Sequence, residues 1–162
     1  MTQSVLTLTH VLLALIAIGT GVAVLSGLLA GQLRISWTVH FFRCALATSV
    51  TGFFFPFHHL LPSHYMSMAS VYVAGVAILA WCKFHLAGAW RSIFAISTTI
   101  VLYLNVVVAV TQVFRHVSLL QSLAPTLSEL PFLVVQLSLM ALFVVLGPVA
   151  VKRFSDRPNR TL

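Results

Sequence analysis

The stretch VLTLTHVLLALIAIGTGVAVLSGLL, Val5–Leu29, runs for 25 residues without an Asp, Glu, Lys or Arg. About 20 helical residues, each rising 1.5 Å, cross a hydrocarbon core of about 30 Å. This stretch is therefore long and apolar enough to span a membrane as a helix. Four more runs follow it: Trp37–Leu61, Tyr65–Leu86, Ser92–Phe114 and Pro131–Val151. A soluble domain has no use for five such runs. Hydrophobic residues make up 60% of the chain and charged residues 7%. The expected fold is all-α, a polytopic bundle of five transmembrane helices forming one domain over residues 1–162. The runs are continuous, so they lack the two-residue alternation that the strands of a membrane barrel need.

The formal charge of +7 does not point to nucleic acid. Lys152, Arg153, Arg157 and Arg160 lie in the tail, and the other basic residues stand near helix ends. That is the pattern of topology signals and anionic lipid contact. With five spans and an inner C-terminus, Arg34, Arg43, Lys83, Arg91 and the four tail residues face the cytoplasm, against Arg115 alone outside. The positive-inside rule then puts the N-terminus outside. Met1–Thr9 carries no basic residue and the run behind it exceeds a signal-peptide core, so the first helix is expected to be retained. Cys44 and Cys82 form no CxxC pair and are expected to be small buried residues rather than a disulfide.

Short loops at Ala30–Ser36, Pro62–His64 and Ala87–Arg91 make consecutive helices antiparallel neighbours. The connection Arg115–Leu130 is longer and lies outside. Its Val117, Leu119, Leu120 and Leu123 suggest a short interfacial helix. In the first helix His10, Ala14, Ala17 and Gly21 share a face. Small residues there either let a neighbouring helix pack closely or leave room for a flat cofactor beside the histidine. Gly27 and Gly31 add a GxxxG match. Pro56 is expected to kink the second helix and expose the Gly52 carbonyl. The phenylalanines around it, Phe53, Phe54, Phe55 and Phe57, read as an interfacial belt or as the wall of a pocket. In the fourth helix Asn105, Ala109, Gln112 and His116 form a stripe. An unpaired amide is costly in hydrocarbon, so Asn105 and Gln112 are expected to face the bundle interior, with Gln136 of the last helix as a partner.

Five of the seven histidines, His10, His58, His59, His64 and His116, fall at the outer ends of the runs, with Glu129 in the adjoining loop. His10 and His58 have similar depth on neighbouring helices and could ligate one haem b iron axially. His64 or His116 would be substitutes, or would bond the propionates with Arg115. The alternative ligand set for a divalent metal is His10, His58, His59, His64, His116 and Glu129. The plain reading is that each histidine is merely interfacial. No CxxC or HExxH spacing sharpens the signal. Arg43 either snorkels to the headgroups or pairs with a buried group. Lys83 and His85 with Trp81 and Trp90 look like an interfacial anchor.

The segments HVLLALIAIGTGVAVLSGLLAG (His10–Gly31), TSVTGFFFPFHHLLPSH (Thr48–His64), FHLAGAWR (Phe84–Arg91), LYLNVVV (Leu102–Val108) and SLAPTLSELPF (Ser122–Phe132) resemble a family of small uncharacterised bacterial multi-pass inner-membrane proteins. The resemblance covers nearly the whole chain. It implies a bacterial inner membrane and brings no activity, cofactor or site residue with it.

Three functions fit these residues. The first is a membrane protein that binds haem b or a metal at the periplasmic face and exchanges electrons with a quinone or a protein partner. The second is an accessory subunit of a larger membrane complex, or a homo-oligomer, with purely structural histidines. The third is a small solute or proton carrier using Asn105, Gln112 and Gln136. A hydrolase is disfavoured, since a single aspartate in the tail cannot complete a Ser–His–Asp set.

Overall fold

The structure is a computed structural model that describes residues 2–53 and 62–156, with side chains from 8 to 52 and from 65 to 156. Among the described residues there is no strand, and six helices follow one another: α1 (Thr2–Leu29), α2 (Ile35–Phe53), α3 (Pro62–Cys82), α4 (Ala89–His116), α5 (Ser118–Leu123) and α6 (Leu130–Ser155). Four stretches among the described residues are long and apolar enough to cross a membrane: Leu8–Leu29, Tyr65–Cys82, Ala89–His116 and Leu130–Ser155. These make the chain a helical membrane protein in class. α2 falls short of that standard over its described length, because Ser36, Thr38, His40, Arg43, Thr48, Ser49 and Thr51 dilute its apolar content. Pro56 and the phenylalanines Phe54, Phe55 and Phe57 lie outside the described residues.

Side-chain pairs fix how the helices run. His10 meets Thr51, so α1 and α2 are antiparallel. Trp81 meets Phe94, Phe114 meets Phe132, and Arg91 meets Phe154, so α4 is antiparallel to α3 and to α6. Arg34, Lys83, Arg91, Lys152 and Arg153 thereby gather at one end, with Arg43 about two turns along α2, while Arg115 stands at the other. α4 is the central element, packing against α1, α3, α5 and α6.

The core sits in the basic half. Phe94, fully buried near the start of α4, has its ring 6.3 Å from Phe42 of α2, 6.2 Å from Trp81 of α3 and 6.0 Å from Phe154 of α6. Tilted rings at such spacings attract beyond their contact area. Arg91, one turn earlier, donates from Nε to the Phe154 carbonyl at 2.6 Å and lies 4.1 Å over the Phe154 ring. That carbonyl belongs to the last turn of α6, where backbone acceptors lack helical partners and the helix dipole favours a cation. Ser92 and Ser155 share a hydroxyl hydrogen bond of 2.9 Å beside it. Arg153 donates to the Leu29 carbonyl at the end of α1.

The turns show what the glycines do. Gly31, at φ 73°, ends α1 while the Gln32 N–H returns to the Gly27 carbonyl at 2.9 Å. A Cβ on Gly27 would meet Arg34 Cγ and the Gln32 carbonyl at 3.0 Å. This pair therefore serves chain reversal, not a helix dimer. α3 stops at Cys82, four residues before the apolar run does. The Leu86 N–H bonds the Ala80 carbonyl, with His85 and Leu86 both left-handed, and Phe84 stacks on Trp90 at 3.7 Å.

Ala17 is fully buried, and a Cβ on Gly21 would lie 2.7 Å from Leu102 Cδ1 and 2.8 Å from Phe41 Cε2. Gly19, by contrast, faces open space. Gly21→Ala is therefore expected to cost about 1–3 kcal/mol by overpacking. Gly19→Ala should gain about 0.5–1 kcal/mol from the helix backbone alone. Unfolding of the two variants in mixed micelles checks the pair, and equal effects would contradict this packing.

Candidate functional site

The end opposite the core holds the residues with the most chemistry. His10, half-buried, stands two residues into the apolar part of α1. Its Nδ1 lies 2.9 Å from Thr51 Oγ1. The Thr51 hydroxyl also stands 2.9–3.0 Å from the Ala47 and Thr48 carbonyls, so it links His10 to the backbone of α2. Gly52 clears the space beside them: a Cβ there would come within 3.7 Å of His10 Cε1 and 3.0 Å of Ser67 Oγ. α1 and α2 thus share a polar contact here, and α3 comes close to Gly52 through Ser67.

Thr51, Gly52 and Ser67 were not singled out in the sequence as partners of His10. A mirror placed in the α1–α2 loop sets His10 roughly opposite residue 54, so the signal was there once the helices were taken as antiparallel. His58 and His59 lie outside the described residues, as does the side chain of His64, which stands three residues before Ser67 on α3. The expected convergence of His10 and His58 falls on that undescribed segment. About three turns along α1 from His10, Gly21 packs against Phe41 and Leu102, and Ala17 is fully buried. Among the described residues no three His, Cys, Asp or Glu side chains come together as a metal-ligand group. Cys44 and Cys82 are free thiols.

Arg115 and His116 are exposed in the last turn of α4, where positive charge suits the negative end of the helix dipole. Glu129 is drawn into its own loop. One carboxylate oxygen accepts from the Thr126 N–H at 3.1 Å and the Thr126 hydroxyl at 2.7 Å. The other accepts from the Ser128 N–H at 3.1 Å. Thr126 and Ser128 also bond each other, and Leu127 takes the left-handed conformation that closes the turn.

Along α4, Asn105 is buried and donates to its own helix, to the Val101 carbonyl at 2.8 Å. Gln112 is half-buried. Gln136 reaches across from α6 to Thr111 Oγ1 at 3.3 Å and the Val107 carbonyl at 3.5 Å. Its contact is thus with Thr111, a residue the sequence stripe omitted. Gln136 Oε1 and the Thr98 hydroxyl have no hydrogen-bond partner among the described residues.

Desolvation raises the Glu129 carboxyl, but the hydrogen bonds from Thr126 and Ser128 outweigh it and hold the group below the ordinary carboxylate value. A depressed carboxyl stabilises its fold above the unfolded pKa and loses that contribution as pH falls through the folded one. The Thr126 and Ser128 amide proton resonances should therefore titrate at acid pH with a midpoint below that of a free glutamate. In Glu129→Gln the titration should vanish. Comparison of the chain with protein-family models, with curated proteins and with solved structures finds no match.

Proposed function

We propose that this protein is a non-catalytic subunit of a membrane assembly, a five-span helical scaffold of the bacterial inner membrane with its N-terminus outside and its C-terminus inside. One observation carries the reading: side chains that could do chemistry are spent on holding helices and loops. His10 ties α1 to α2, Arg91 ties α4 to the end of α6, Gln136 ties α6 to α4, and Glu129 ties its loop. α2 counts as the fifth span because its buried hydroxyls are satisfied within the helix. Thr38, Thr48 and Ser49 donate to the Arg34, Cys44 and Ala45 carbonyls at 2.8–3.0 Å. The gathering of basic residues at one end supports an inner C-terminus.

A second reading keeps the outer histidines as a haem b or metal site. What favours it is the position of His10 against Thr51 and Gly52, next in sequence to the segment that carries His58 and His59. A histidine that ligates a metal through one ring nitrogen is usually oriented by a hydrogen bond at the other.

Reporter fusions at Leu162 and within Ser118–Ser128 should report opposite sides of the membrane. Both on the same side would refute five spans. The two functional readings part at the spectrum and metal content of protein grown with haem supplied and purified without chelator. On the scaffold reading there is no Soret band and no stoichiometric metal, and His10→Ala costs about 0.5–1.5 kcal/mol of stability through its lost hydrogen bond. A Soret band or bound metal that is lost in His10→Ala would replace the scaffold with the redox reading.

A further inference from the structure

A recess of about 300 Å³ opens on the outer surface between α4 and α6. Its walls are Ile96, Ile100 and Tyr103 from α4 and Met140, Val144 and Pro148 from α6. Thr99 lies within it, but its hydroxyl donates to the Ala95 carbonyl at 2.8 Å, so the lining offers little polarity. The recess has a structural origin. Gly147 brings α6 against α4, a Cβ there standing 3.1 Å from Ile96 Cδ1. Farther along, the Tyr103 and Phe143 rings, 5.4 Å apart, hold the two helices off each other.

The walls select the occupant. Transmembrane helices that dock on one another need small residues at the contact. Here the rim is made of long, exposed side chains: Met140 and Val144 are 46% and 65% exposed. Such a slot suits a thin flexible chain better than a helix. Met140, Val144 and Pro148 follow one another at intervals of four, and the next residue in that row is Lys152. From Met140 to Lys152 the row is roughly 18 Å long, at 1.5 Å per residue. The recess itself follows this row from Met140 to Pro148, roughly 12 Å, and the Lys152 ammonium group stands one turn beyond it, at the basic end of the bundle.

Nearby charges leave that ammonium group available. Arg91 is tied to the Phe154 carbonyl and Arg153 to the Leu29 carbonyl. Lys152 is exposed and makes no ion pair among the described residues. Asp156, one turn beyond on α6, is the acidic group near it, outnumbered by Arg91, Lys152 and Arg153. We propose that the α4–α6 slot holds an acyl chain of an anionic phospholipid whose phosphate rests on Lys152. The proposal rests on the membrane setting alone, and would stand whether the protein is a scaffold or a redox subunit.

Native mass spectrometry of the full chain in mild detergent tests it, with phosphatidylglycerol and phosphatidylcholine of the same acyl chains as probes. Both lipids carry a phosphate, but the choline cation of phosphatidylcholine neutralises it, so the wild type should bind phosphatidylglycerol roughly fivefold more tightly, the worth of one basic residue at a net anionic headgroup. Lys152→Gln should remove that preference, whereas Lys83→Gln, at the other loop of the same end, should keep it. Val144→Trp or Met140→Trp, which fill the slot from exposed positions, should weaken both lipids. Unfolding in lipid-free detergent shows that each variant is folded. Equal affinity for the two lipids, or a preference that survives Lys152→Gln, would overturn the headgroup assignment. Undiminished binding in folded slot-filling variants, tight binding of glycerol 3-phosphate by itself, or a dimer that displaces lipid from the slot would overturn the acyl-chain assignment.

Discussion

The first two turns of α4 hold the bundle together. Arg91 closes the end of α6, and Phe94 gathers rings from α2, α3 and α6 around one buried side chain. In hydrocarbon, apolar burial gives no advantage to a helix already surrounded by lipid tails, so association depends on close packing and on hydrogen bonds. That is why a single arginine counts for so much here. Its planar cation bonds a carbonyl that helix geometry leaves unpaired and stacks on the ring of the same residue. Lysine has neither the fork nor the flat face to do both.

Much of this architecture is legible in the sequence. Length and hydropathy give the helices, because a span needs about 20 apolar residues and little else. The short loops give the antiparallel order, and the basic residues show which ends lie together. The hidden part is what side chains do across helices. Phe94 and Arg91 look like a helix start in an aromatic stretch, and nothing in their spacing names Phe154 as their target, some sixty positions away. Apolar runs also extend past helix ends: Lys83–Leu86 reads as span but folds into a left-handed turn.

The site tells a similar story at closer range. The sequence marks His10 as a candidate haem or metal ligand and Glu129 as a candidate metal ligand, because the histidines cluster at one end of the runs with a carboxylate in the adjoining loop. The structure gives both of them local partners of the commonest kind, threonine and serine. Hydroxyl residues in membrane helices are easily passed over, since they bond back to their own carbonyls. Thr51 does this and still reaches His10 of α1. Polar residues are conspicuous in an apolar chain, but their acceptors are not.

Burial along the helices is uneven. Among the described residues, the first buried one in α1 is Ala17 and in α6 Gly147, both in the basic half. Toward the other end the described side chains of α1 and α6 are mostly exposed, and contacts there include His10–Thr51, Phe114–Phe132 and the long Gln136 contacts. The described packing is thus densest around Phe94. Amide exchange should be slowest in the turns of α4 that carry it. A cluster held by one buried ring and one arginine can stay rigid while more distant turns move, so stiffness need not be uniform along one helix.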